Sequence, residues 1–347
     1  MLINNGGITM KKGTKKFFAL LLVMCMTIST AIALTSCGGS DGASEDETYT
    51  LKMHMSVNTN DHVYAGAEAF ANYVSENTDG KVTVELYPSS QLGVTADCIE
   101  GLPVRTCDIV FDSLSNLSSI TPIANIEAMP YMFNSVDHFN KVWQGEIGQK
   151  IFDDIEAASG IKIVGSALQG VRILTTTKRV EHPADIKGQK LRVPTIDVYL
   201  KTWETIGASP TPLSGAEIFT AVQQGTVIGQ GNSYPSSAGL SMQDICKYVT
   251  ETNHVYSMAA MMMDSGFFNS LPAEYQQVIL DGAKVAAQKA EEEYETNAAN
   301  SKQQFVDAGC EIIEVDADEW KATLDGFVEN NYPDLVEYYQ AIIDADK

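Results

Sequence analysis

Gly170-Val171-Arg172, Gly188-Gln189-Lys190-Leu191-Arg192-Val193-Pro194 and Gly229-Gln230-Gly231-Asn232 fall within one stretch, residues 170–235, around which the 347-residue chain is arranged. Residues 190–193 read as a strand, and Pro194 ends it where a helix patterned on Ile196, Tyr199, Leu200 and Trp203 begins. Arg192 is thereby placed at the carboxyl end of a strand, the edge at which open α/β sheets bind ligands. A guanidinium there offers a planar fork of donors that matches a carboxylate. A partly buried, charge-assisted pair of this kind contributes about 1.5–3 kcal/mol. Arg172 and Asn232 complete a set suited to gripping an acid group. The competing reading of Arg192 is an exposed strand-end arginine in a surface salt bridge, which contributes little.

Outward from this stretch the chain alternates between strand and helix. Residues 50–55 form a strand with Leu51, Met53 and Met55 on one face. Asp61 can cap a helix carrying Val63, Ala67, Phe70 and Val74 at helical spacing, stopping before Asp79-Gly80. Strands at 82–86 and 108–111 flank a short helix at 96–102. This order predicts a mostly parallel α/β sheet with helices on both faces. Loops after the strands should face a ligand cleft, which makes Asn60, His62, Asp112 and Ser113 candidate pocket groups. A helix cap accounts equally well for Asn60, and a turn for Asp112.

Residues 120–160 read as mostly helical, and a strand at 161–164 leads toward Gly170. A second lobe has strands at 171–175, 190–193, 209–211 and 226–230, with helices from Ile196 and Ala216 between them. Further strands are expected at 248–252 and 258–263. A helix capped by Ser270 then runs to Gly309, and nearly forty residues at about 1.5 Å each would reach roughly 55 Å. That exceeds one lobe and suits a rigid backbone across both; a coiled-coil dimerisation arm is the alternative. Lys289, Glu291, Glu292, Glu293 and Glu295 leave no clean heptad seam, which favours the intramolecular version and a monomer. A strand at 310–315 and two helices within 320–343 close the chain. The pattern describes two short sheets joined by hinge-crossing strands. Lobe I comprises residues 48–169 plus 258–297, and lobe II residues 170–257 plus 298–347.

Residues 1–36 read as a lipoprotein signal peptide: Lys11, Lys12, Lys15 and Lys16 precede an apolar run at 17–34 and the lipobox Leu34-Thr35-Ser36-Cys37. Cys37 would be lipidated and become the N-terminus, and residues 37–47 would be a flexible tether. An uncleaved membrane anchor is the alternative, since the run is about long enough to span a bilayer. The net charge of −22, more negative by four once the signal lysines are removed, argues against nucleic acid as a partner. An anionic ligand would need a locally positive site. Cys98, Cys107, Cys246 and Cys310 lack metal-type spacing, and either a Cys98–Cys107 bridge or buried thiols fits them. The chain has no HExxH, phosphate loop or GxSxG elbow, and its five histidines are scattered. No catalytic residue, metal or cofactor is expected, and a surface enzyme is the least favoured reading.

Several motifs resemble the solute-binding subunits of tripartite ATP-independent periplasmic (TRAP) transporters. They are Leu86-Tyr87-Pro88-Ser89-Ser90-Gln91-Leu92-Gly93, residues 183–194, residues 206–212, Glu217 to Gln223, Gly225-Thr226-Val227 and Thr252-Asn253-His254. The resemblance covers nearly the whole chain after Thr48 and implies a two-lobed fold like type II periplasmic binding proteins. It implies that Arg192 forms the main salt bridge to a ligand carboxylate, Arg172 supports it, and Asn232 orients the arginine or touches the ligand. It also implies a small and a large integral membrane subunit as partners in an ion-gradient-driven symporter. An ABC-type binding lipoprotein for another small ligand is the alternative. Ile228, Gly231 and Ser233 depart from the acid, glutamate and proline usual in the family, and Gly215 lacks the aromatic ring of some relatives.

Overall fold

The computed structural model describes residues 47–346. The signal peptide, Cys37 and the tether up to Asp46 lie outside the described residues. Nine strands form one sheet: β1 Tyr49–His54, β2 Val82–Tyr87, β3 Ile109–Ser113, β4 Ile161–Thr176, β5 Lys190–Val193, β6 Ser209–Pro212, β7 Gly229–Ser233, β8 Tyr248–Asp264 and β9 Glu311–Glu314. Their order is β2-β1-β3-β8-β4-β7-β5-β6, with β9 beside β8. In place of two separate short sheets there is one, because β4 and β8 run unbroken through both lobes as an antiparallel pair. The sheet is mixed for the same reason: β1 is parallel to β2 and β3, whereas β3 and β7 meet the crossing strands antiparallel.

The crossing pair is irregular along its middle. Residues 161–168 of β4 pair with Met258 to Asp264, and residues 170–176 with Tyr248 to Ser257, with register shifts at Leu168/Gly170 and Arg172/Leu174. Gly170 sits at φ +138°, and a Cβ there would lie 2.7 Å from that of Ser233, so the turn of the strand needs a residue without a side chain. Asn253 adopts φ +47° within β8, beside the second shift.

Alternation explains the core of the first lobe, since Leu51, Met53 and Met55 are fully buried against Val63, Ala67 and Phe70. Asp61 caps the helix His62–Glu76 by accepting from the Val63 amide at 2.9 Å. The long helix, Ala273–Asp307, has 35 residues and begins after Pro272; Ser270 ends a separate short helix, Ser265–Ser270. Its Ile279, Ala283 and Ala286 join the first lobe's core, and Phe305 joins the second lobe's core with Ile173 and Ile218. Strand β7 begins three residues later than the Thr226 expected from apolar spacing, and three short helices, Ala317–Ala322, Phe327–Asn331 and Val336–Asp344, close the chain where two were expected. The four cysteines among the described residues are free and buried.

Gly66 tests the packing of the long helix. A Cβ on it would lie 2.7 Å from the Ala286 carbonyl oxygen and 3.2 Å from the Ala290 Cβ. Gly66→Leu should therefore lower stability by about 1–3 kcal/mol, read as a lower urea midpoint at unchanged slope. An unchanged midpoint would mean that the two helices do not meet there.

Candidate functional site

Strand direction brings the two arginines to one edge. Because β4 runs antiparallel to β7, Arg172 lies opposite Ser233, the last residue of β7, and Arg192 on parallel β5 is paired with Gln230. Arg172 is thus level with the carboxyl end of β7, and Arg192 is the next-to-last residue of β5. Arg172 is 7% exposed and Arg192 5%. Arg172 donates from Nη2 to the Gly231 carbonyl and lays its guanidinium 4.7 Å from the centre of the Tyr199 ring, while its Nε has no partner. Arg192 donates from Nε to the Leu213 carbonyl at 2.9 Å. The arginine ion pairs among the described residues belong to Arg105 and Arg179, so neither buried guanidinium has a carboxylate against it. Burial, and then the charge of Arg172, push Arg192 down to about 9, which leaves it charged at neutral pH.

Side-chain atoms without partners also occur on Gln230 of β7 and His254 of β8. Gln230 is fully buried, and both ends of its side-chain amide are unpaired. His254 is 1% exposed, with Nδ1 2.7 Å from Thr252 Oγ1, its ring edge-on to Trp203 and its Nε2 unpaired. That nitrogen faces Gly231, where an added Cβ would come within 3.1 Å. Asn232 is half-buried on β7, and its Oδ1 accepts from the Ser233 amide at 3.0 Å.

The candidates from the first lobe are placed differently. Asp112 is buried and accepts from Ser56 N at 3.1 Å, Thr95 Oγ1 at 3.0 Å and Ser113 N at 2.7 Å. Ser113 donates to Glu127 Oε2 at 3.0 Å, and Glu127, fully buried, also accepts from the Met258 amide on β8 at 2.7 Å. His62 Nε2 lies 2.9 Å from the Leu168 carbonyl on β4, with its ring edge-on to Tyr294 of the long helix. Asn60 is exposed, and its carbonyl accepts from Asn297 Nδ2 at 2.8 Å. Strand β7, which carries Asn232, lies between β4 with Arg172 and β5 with Arg192. His62, Asp112 and Ser113 enter hydrogen bonds internal to the protein.

Residues 53–333 match the bacterial extracellular solute-binding protein family 7, DctP. The chain belongs to this family. A solute-binding protein of Roseobacter denitrificans is 30% identical over 278 residues, 79% of this chain and 84% of that relative. The crystal structure of a TRAP periplasmic solute-binding protein from Roseobacter denitrificans, with bound L-galactonate, superposes with a TM-score of 0.81. It is 27% identical and covers 85% of this chain and 99% of its own. A TRAP periplasmic solute-binding protein from Chromohalobacter salexigens, with bound D-glucuronate, gives the same TM-score and identity and the same coverage of both chains. The two-lobed fold expected from the sequence is the fold of this family. This member of family 7 is a solute-binding protein and not an enzyme.

Four residues around the arginines escaped the sequence reading of the site. Tyr199 read as one position of an apolar helical stripe, Glu127 lay inside the segment read as mostly helical, and Gln230 and His254 were quoted in motifs without a role. All four are buried residues that carry polar groups, and their burial becomes visible only once the chain is folded.

His254 yields a pH test. Burial, and then the charge of Arg172, hold its imidazole down to about 3, well below the usual range near 6.5. The unfolded chain therefore binds a proton that the folded chain refuses, so stability falls as pH drops from 6.5 toward 3, by about 1.4 kcal/mol per pH unit for this one group. Urea unfolding across that window should show His254→Gln shallower than the parent by close to one proton. Identical slopes would mean that His254 is not held neutral.

Proposed function

We propose that this family 7 protein is a lipid-anchored extracytoplasmic receptor that captures a small organic acid between its lobes and delivers it to a TRAP-type membrane symporter. The observation that carries this reading is two buried guanidiniums, one level with the carboxyl end of β7 and one near that of β5, with no carboxylate of the described residues against them. Arg192 pairs with the ligand carboxylate, Arg172 adds a second positive contact, and Asn232 orients the arginine or donates to the ligand. Closure removes water from the ion pair, so attraction rises as the local dielectric falls. The closed form is the one that the small and large membrane subunits recognise, because a ligand shifts the balance of states only by its differential affinity.

In this reading the lobes comprise residues 48–169 plus 258–297 and residues 170–257 plus 298–347, working as a monomer. Residues 1–36 are removed, Cys37 carries the lipid, and residues 37–47 are the tether. Asn60, His62, Asp112 and Ser113 line or brace the side of the cleft opposite the arginines. Sugar acids such as L-galactonate and D-glucuronate, bound in the relatives, are the first ligands to try.

Titration calorimetry with a panel of sugar acids, other carboxylic acids, amino acids and neutral sugars tests the core of this reading. Binding confined to acids, weakened about tenfold or more in Arg192→Ala, is expected, because losing one partner of a buried charge pair costs about 2–5 kcal/mol. Binding of neutral sugars alone, or acid binding indifferent to Arg192→Ala, overturns it.

A further inference from the structure

Strands β1 and β7 lie on opposite sides of the crossing pair, and the segments that follow their carboxyl ends meet. After β1 comes a turn fixed at several points. Ser56 N donates to Asp112 Oδ2 at 3.1 Å, Asn60 N to Asn58 Oδ1 at 2.8 Å and Asp61 N to the Asn58 carbonyl at 3.2 Å, while the Asn60 carbonyl accepts from Asn297 Nδ2 at 2.8 Å. With its Oδ1 engaged, the Asn58 side chain turns its Nδ2 toward the short helix Tyr234–Gly239, which begins directly after β7 and its Asn232. A Cβ on Gly239, the last residue of that helix, would lie 2.5 Å from Asn58 Nδ2 and 3.6 Å from Asn58 Cγ. The backbone does not ask for glycine there: Gly239 is helical without a positive φ, and local propensity favours alanine over glycine in a helix. Nor does a core ask for it, since Gly239 is exposed. What the missing side chain admits is the approach of Asn58.

Both segments follow carboxyl ends of strands, the edge that faces a ligand in open α/β sheets. Their contact therefore lies on the cleft side of the crossing strands. We propose that Asn58 and Gly239 are positioning residues, the pair at which the two lobes meet when they close, and that position 239 is bare so that the lobes come fully together over the ligand. The inference rests on the two-lobed, ligand-closing reading above and adds the place at which closure stops. A side chain at position 239 props the cleft ajar. The ligand then keeps its contacts to one wall and loses some of those to the other, so its apparent affinity falls with the share of the closed form.

Calorimetry of the purified protein with the acid panel tests this. Gly239→Leu should weaken the acid that binds by about fivefold or more, at a urea midpoint no lower than the parent's, and the same change in an Asn58→Ala background should weaken it clearly less. Should Gly239→Leu fail to fold by circular dichroism, Gly239→Ala takes its place. A second arm needs no ligand. With Asn58→Cys and Gly239→Cys in one chain, copper phenanthroline and dissolved oxygen should close a disulfide between the two positions, seen as a cross-linked peptide by mass spectrometry, because the new sulfur would stand near the present Asn58 Cγ. Absence of the bridge overturns the closing contact. So does an unchanged affinity in Gly239→Leu while Arg192→Ala loses the acid, and in that case the carboxylate reading stands. A bridge in a protein that binds no acid of the panel supports the contact and overturns the carboxylate reading.

Discussion

Two buried guanidiniums, neither with a carboxylate of the described residues against it, are the constraint to which the surrounding structure answers. The protein offsets part of the cost with backbone carbonyls and an aromatic face: Gly231 and Leu213 supply oxygens, and the Tyr199 ring lies under Arg172. It also keeps further charge away, since His254 is neutral and Glu127 is tied to three donors of its own. Such a site is poised for an anion, because an arriving carboxylate replaces repulsion by attraction in a medium that screens weakly.

The position of Arg192 was legible in sequence because proline punctuates the strand before it and a helical pattern follows. That of Arg172 was less so. It lies inside a 16-residue strand that reading by periodicity divides near Gly170, where the φ angle of +138° and the register shift interrupt the alternation. Strand β8 was divided for the same reason, at the segment that carries Asn253 in a left-handed conformation. In both strands the break in pattern is a real distortion of the ladder, but hydrogen bonding continues on either side of it. Local sequence reports the distortion and is silent on the continuity, which depends on partners far away in the chain.

The groups from the first lobe show the same limit. Asp112 and Ser113 do stand at the carboxyl end of β3, yet whether such residues face a cleft or one another is decided by Thr95, Ser115 and Glu127, which arrive from other segments. Glu127 then carries the network onward to the Met258 amide. A polar group at the end of one lobe's strand is thereby fastened to a strand that both lobes share, so the interlobe region is held by directional bonds as well as by apolar packing.

The long helix has a further consequence. Its first half fills the interior of one lobe with Ile279, Ala283 and Ala286, and near its other end Phe305 does so for the other. Melting either lobe would strip a wall from its neighbour, and a fragment cut between them would expose an apolar face along a bare rod. Because both interiors share that helix, the unfolding of one lobe is tied to that of the other.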